Sequence, residues 1–224
     1  MTTLPAAVSF DLDGTLYSTR RAGLRLLLAM PHRLPFLADY QRARRALREQ
    51  IYPDGAALRR AELALLARRR ACDEAQIERQ LALVIETELI EVLRRTGPDA
   101  VARPLLQGLI ERGVPVAVLS DLPVERKLAA LGLADLPLRC RLDAGETGAL
   151  KPHPRSFERV ASALGVALGD LVHVGDRHDT DVCGAERCGA TAVWLTRRPN
   201  RPLTGRTFAV PTLAELAARW GIEV

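Results

Sequence analysis

Apolar residues follow two different rhythms along this chain, and the change between them divides it into parts. Ala6-Ala7-Val8-Ser9-Phe10 is a short apolar run that stops abruptly at Asp11-Leu12-Asp13-Gly14-Thr15, the pattern of a buried strand entering a glycine-containing turn. From about Thr19 to Thr96 the spacing lengthens to three or four residues, as in Leu58, Leu63, Leu65 and Leu66, and Leu, Ala, Arg and Glu dominate. That spacing predicts some four helices, broken near Pro31, Pro35 and Pro53-Asp54-Gly55. Asp73 reads as an N-cap and Gly97-Pro98 as a stop.

After Gly97 strands and helices alternate. Helices are predicted over residues 101–112, 123–131, 154–164, 179–188 and 211–220, and strands over 114–119, 138–142, 171–174 and 191–195. Alternation of this kind implies a parallel sheet covered by helices on both faces. The first strand therefore belongs with the second half of the chain. The expected fold is α/β, a doubly wound parallel sheet built from residues 1–16 and 99–224, with an α-helical domain at 17–98 inserted after the first strand.

Composition changes this picture little. With 224 residues, 48% of them hydrophobic, the chain has ample material for a packed core. The formal charge of +5 lies wholly in residues 15–100, where 16 Lys/Arg face 11 Asp/Glu. No aromatic interleaving or nucleic-acid motif accompanies these arginines, so they read as a solvated helical surface and no nucleic-acid partner is expected. Cys72, Cys140, Cys183 and Cys188 make no disulfide framework in a chain this long. The beginning of the sequence carries no secretory signal pattern, and its most apolar early run is interrupted by Arg25, Pro31, His32, Arg33 and Pro35. No membrane association is expected, and the setting expected is a reducing cytoplasm.

The chemistry collects where strands end. In open parallel sheets ligands bind beyond the carboxyl ends of the strands. There the first strand delivers Asp11 and Asp13, the second Ser120 and Asp121, and the strand at 171–174 Asp176, followed by Asp179 and Asp181. Lys151 stands just before a helix, in Leu150-Lys151-Pro152. Carboxylates gathered at one edge repel each other unless a cation compensates, and oxygen ligands of this kind suit Mg²⁺. Residues i and i+2 of an extended segment face one side, so Asp11 and Asp13 can address one substrate. One can attack while the other gives and takes a proton. Lys151 would stabilise both a carboxylate nucleophile and a phosphate dianion. The chain has 30 arginines and only two lysines, the other being Lys127, so a lysine here points to a need for a compact ammonium.

Taken together, Asp11-Leu12-Asp13-Gly14-Thr15, Ser120-Asp121, Lys151-Pro152 and Gly175-Asp176-Arg177-His178-Asp179-Thr180-Asp181 resemble the four ordered motifs of the haloacid dehalogenase-like (HAD) phosphatase superfamily. The resemblance covers residues 6–16 and about 100–196, while the helical block matches the family's cap by position and pattern. It implies a Rossmann-like core with a helical cap, and Mg²⁺-dependent hydrolysis of a small-molecule phosphate monoester through an aspartyl-phosphate. It implies Asp11 as nucleophile, Asp13 as general acid and base, and Ser120 and Lys151 as further catalytic residues. Asp11, Ser120, Asp121 and Lys151 would meet the phosphate, and Asp11, Asp13, Asp176 and Asp181 the metal, with Asp13 contributing its backbone carbonyl. Asp179 competes with Asp181 for the supporting place. Asp121 departs from the family pattern, which often has Asn there.

Plainer readings stand beside these. Ser120 also suits a strand-end cap, Asp179 a helix N-cap, and His153 a solvent-facing loop. His173, His178, Cys183 and Cys188 match no standard zinc spacing. Arg20, Arg21, Arg44 and Arg45 offer cations to a second anionic group. A dehalogenase or phosphomutase on the same fold, a phosphate-accepting signalling domain and a non-catalytic phosphate-binding protein are the competing functions. A dehalogenase does not need the second aspartate, and Asp13 is present.

Overall fold

Short runs of apolar residues, blocked by glycine and aspartate, become parallel strands. The structure, a computed structural model, describes residues 4–203 and 205–224, so Met1–Thr3 of the N-terminal reading lie outside it. The first strand, β1 (Ala7–Phe10), is followed by α1 (Thr19–Ala29), α2 (Leu34–Leu47), α3 (Gly55–Arg70), α4 (Glu74–Leu83) and α5 (Leu89–Thr96). Then come α6 (Ala102–Glu111), β2 (Val116–Ser120), α7 (Glu125–Ala130), β3 (Cys140–Asp143), α8 (Pro154–Leu164), β4 (Leu171–Gly175), α9 (Cys183–Arg187), β5 (Thr191–Leu195), β6 (Phe208–Val210) and α10 (Leu213–Arg219). The strands form one parallel sheet in the order β3-β2-β1-β4-β5-β6.

Side chains alternate across this sheet, and each face has its own core. Val8 and Phe10 of β1 join Val116, Val118, Val174 and Val193 against α6 and α10. Ala7, Ala117, Leu119, Leu142 and Ala192 face the other way, against Phe157, Val160 and Leu164 of α8. A third cluster holds α2, α3 and α4 together through Phe36, Tyr40, Leu63, Leu66, Ile77 and Leu81. The flanking helices of the inserted block, α1 and α5, instead pack Leu26, Val92 and Leu93 into the first cluster. They tie the inserted helices to the sheet.

Asp73 caps α4 as expected, accepting from the backbone N–H of Gln76 at 2.7 Å. Pro35 does not break a helix; it sits in the first turn of α2, where its missing N–H costs nothing. Asp179 is not an N-cap: it lies within a π-helical turn, His178–Val182, that leads into α9, and its carboxylate binds Arg177. β6 was not expected, because three residues at a sheet edge are too few to show a period. No helix among the described residues is long and apolar enough to cross a membrane.

Candidate active site

The strand order reverses between β1 and β4. Chain connections leave β1 towards β2 and β3 on one side, and β4 leads to β5 and β6 on the other, which opens a crevice at the carboxyl ends of β1 and β4. Asp11 stands at the end of β1, its N–H bonded to the carbonyl of Val174 at 2.8 Å, so the pairing of the two strands runs on into the site. Gly14 then turns the chain with φ +97°, where a side chain would collide with the Asp176 carboxylate. That glycine lets the acidic loop after β1 lie against the acidic loop after β4.

Lys151 is buried and donates to Asp11 Oδ1 at 2.6 Å and to Asp181 Oδ1 at 2.7 Å. Burial works against its charge, but Asp11, Asp181 and Asp121 together raise its pKa and keep it protonated. Burial pushes the Asp11 carboxyl well above the usual range; Lys151 pulls it down, and Asp181 and Asp13 push it up again. Burial and the charge of Asp181 raise Asp176 to about 6. Asp181 is held low, since Lys151 and His173 outweigh its burial. His173 lies beneath this group on β4, its Nδ1 2.8 Å from the Ser9 hydroxyl, and burial lowers its pKa.

Asp11, Asp176 and Asp181 each place a carboxylate oxygen so that all lie within 4.8 Å of one another. Oδ1 of Asp176 is buried with no hydrogen-bond partner. Four carboxylates, with Asp13, face two ammonium groups here, which leaves two negative charges uncompensated. A divalent cation with oxygen ligands fits this donor set and charge. Asp179 stands apart from it, exposed and paired with Arg177 at 2.7 Å.

The second lysine has the same address. Lys127, on α7 and 1% exposed, grips both oxygens of Asp13 at 2.6 and 2.7 Å. Asp13 also accepts from Ser120 Oγ at 3.0 Å and from the Tyr17 hydroxyl. Its burial would raise the carboxyl, but Lys127 and these hydrogen bonds bring it below the ordinary value. Sequence reasoning passed over Lys127. The scarcity of lysine that singled out Lys151 applied to it equally.

Asp121 also has company. One oxygen accepts from the Lys151 N–H at 3.1 Å, and the other pairs with Arg48, the residue that ends α2, at 2.9 Å. Arg48 reaches on to the Lys151 carbonyl at 2.6 Å. Its neighbour Arg44 is buried, paired with Glu62 of α3 at 2.9 Å, and donates to the Tyr40 hydroxyl and the Asp121 carbonyl. The inserted helices are thereby bonded to the loops that carry Asp121 and Lys151. Arg20, Arg21 and Arg45 point to solvent and form no ion pair among the described residues.

A cavity of about 540 Å³ lies between these loops and the inserted helices, bounded by Asp11, Asp13, Asp121 and Lys151 on one side. Residues of α1, α2 and α5 close the other. A smaller cavity of about 280 Å³ sits across Arg44, among Tyr40, Glu62, Asp143 and Glu146, and touches neither Asp11 nor Asp13.

Residues 5–189 match the model of the haloacid dehalogenase-like hydrolase family. The chain is 30% identical over 204 residues to the 5-amino-6-(5-phospho-D-ribitylamino)uracil phosphatase of Escherichia coli (strain K12), covering 85% of this chain and 83% of that one. It is 31% identical over 201 residues to the glyceraldehyde 3-phosphate phosphatase of Methanopyrus kandleri, covering 85% and 84%. Among solved structures, an L-2-haloacid dehalogenase from Xanthobacter autotrophicus superimposes with a TM-score of 0.66 at 20% identity, over 96% of this chain and 98% of that one. A HAD phosphatase from Thermococcus onnurineus does so with a TM-score of 0.62 at 23% identity, over 97% and 98%.

Proposed function

Because the chain belongs to the haloacid dehalogenase-like hydrolase family, we propose that it is a Mg²⁺-dependent phosphatase that cleaves a small-molecule phosphate monoester through Asp11. The observation that carries this reading is the pairing of Asp11 with Lys151 and of Asp13 with Lys127 across one crevice, next to a buried, under-compensated acidic cluster. The retained and well-held Asp13 favours phosphate esters over carbon–halogen bonds.

Asp11 attacks phosphorus through a carboxylate oxygen, an aspartyl-phosphate forms and the bond from phosphorus to the leaving oxygen breaks. Asp13, which Lys127 holds ionised, passes to that oxygen a proton that it has taken from the monoanion of the bound ester. In the second half Asp13 takes a proton from water, the water oxygen bonds to phosphorus, and the bond to Asp11 breaks. Lys127 stabilises the ionised Asp13 that this second half needs. Lys151 neutralises charge on Asp11 and the phosphoryl oxygens. Ser120, which donates to Asp13, would turn its hydroxyl to a phosphoryl oxygen once a substrate is seated. Asp121 serves the phosphate indirectly, by setting the Lys151 backbone and receiving Arg48. Asp11, Asp176 and Asp181, with the Asp13 carbonyl, would hold Mg²⁺, which supplies charge stabilisation to the transferring group. Residues 17–98 act as a cap that shields the reaction from water.

Phosphate release from a panel of monoesters tests this reading. Turnover is expected with Mg²⁺ and is expected to vanish on chelation and in Asp11→Asn. Undiminished activity of Asp11→Asn would overturn the assignment.

A further inference from the structure

The far wall of the large cavity carries information about what leaves. Leu26 of α1, Leu34 and Leu37 of α2 and Leu89 of α5 line it, so the part of a substrate distant from phosphorus meets aliphatic surface. Each cation on the cavity wall is already engaged by a carboxylate. Arg44 is paired with Glu62 at 2.9 Å, Arg48 with Asp121 at 2.9 Å, Arg177 with Asp179 at 2.7 Å, and Lys151 with Asp11 and Asp181. A carboxylate on the leaving group would find no uncommitted positive charge there, and it would face Asp11, Asp13 and Asp121. Desolvating a charge without a partner is strongly unfavourable.

Gly23 adds a second observation. It lies inside α1 on the cavity wall, where glycine weakens a helix relative to alanine. A Cβ built there would meet no atom within 4 Å outside the neighbouring backbone of its own helix. Packing within the protein therefore does not require a glycine at this position. Gly23 is exposed and also borders the cavity, so a ligand body reaching outward there would pass over bare helix backbone.

Resting on the phosphatase reading above, we propose that the substrate is a phosphate monoester whose leaving group is uncharged and has an apolar body, seated on Leu26, Leu34, Leu37 and Leu89 and passing over Gly23. Burial of that body against the aliphatic wall supplies its affinity, and the committed arginines exclude leaving groups that carry a carboxylate.

Three esters separate the alternatives: benzyl phosphate (apolar and uncharged), glycerol 1-phosphate (polar and uncharged) and phosphoglycolate (carboxylate-bearing). With Mg²⁺ and the whole chain, kcat/KM for benzyl phosphate should exceed that for phosphoglycolate by about tenfold or more. Gly23→Leu should lower the ratio of benzyl to glycerol ester by about tenfold, since the added side chain occupies the path of the ring. Gly23→Ala should raise Tm, because the helix gains and nothing in the protein is displaced. Equal or better turnover of phosphoglycolate, or a benzyl-to-glycerol ratio that Gly23→Leu leaves unmoved, would overturn the proposal. If no ester is hydrolysed, the phosphatase reading fails, and calorimetry with two uncleavable probes decides the pocket by itself. Tighter binding of benzylphosphonate than of phosphonoacetate supports the proposal, and the reverse order or equality sinks it.

Discussion

Removing the Lys127 ammonium would leave Asp13 its hydrogen bonds from Tyr17 and Ser120 but no charge partner. Lys127→Met is expected to lower kcat by about 10²-fold, the lower end of what a positioned acid–base group contributes, with a smaller change in KM. Steady-state kinetics on any turned-over ester would check this, and an unchanged kcat would remove Lys127 from the mechanism. Lys127→Arg should not restore the rate, since a planar guanidinium cannot take the place of a compact ammonium against both oxygens. Asp143 tests electrostatics away from the chemistry. Burial lifts its carboxyl to about 6, against Arg44, which lowers it. A carboxyl raised in the folded state weighs against stability once it ionises there. The penalty is absent below the unfolded value near 4, grows as pH rises, and is complete above about 6. Asp143→Asn keeps the oxygen that accepts from the Gly145 N–H. It should therefore raise Tm at pH 8, by an amount worth about 1–3 kcal/mol, and the gain should fade towards pH 4. A gain that is the same at both pH values would contradict the assignment.

Among the elements, α2 joins the most parts. Its Arg44 pairs with Glu62 on α3 and reaches the loop after β2, and Arg48, just past its last turn, grips Asp121 in that loop. Arg44→Ala would leave Glu62, only 4% exposed, with Arg59 at 3.6 Å as its remaining cation, and would remove the bonds to Tyr40 and the Asp121 carbonyl, at a cost of about 3 kcal/mol. Thermal unfolding measures this directly, and a loss well under 1 kcal/mol would mean that Arg59 suffices for Glu62. None of these links was legible in the chain. Periodicity locates α2 and places its arginines on a helix, but partners 18 and 77 positions away come from folding alone. Strand ends were legible because a buried parallel strand is a continuous apolar run and stops where polar residues begin. Thus Asp11, Asp13, Ser120 and Asp176 could be read as neighbours before any fold was known. Lys127 was marked only by the scarcity of lysine, because its pattern, a lysine on a short helix, reads as solvated surface. Its burial depends on Asp13, 114 positions earlier.

For the molecule as a whole, the acidic cluster would link folding to the cation binding proposed for it. Asp11, Asp176 and Asp181 are brought together only in the folded chain, so an ion held by all of them stabilises that chain by mass action. Mg²⁺ at a hundred times its Kd should add about 2.7 kcal/mol, read as a rise in Tm that grows with concentration. Asp176→Asn should blunt this rise, and a Tm that ignores Mg²⁺ in the unaltered protein would argue against the assigned ligands. The architecture at this scale was readable from the order of strands and helices, whereas the shape of the cavity was not, since α1, α2 and α5 meet there only in three dimensions. The two-lysine composition has a further consequence. A sample labelled with ¹⁵N at Nζ of lysine alone would carry two side-chain ammonium reporters, and both are paired with aspartates of the proposed reaction centre. In such a sample the ¹⁵N spectrum of the whole protein reduces to two Nζ signals, one following Asp11 and the other Asp13, with no background from the surface.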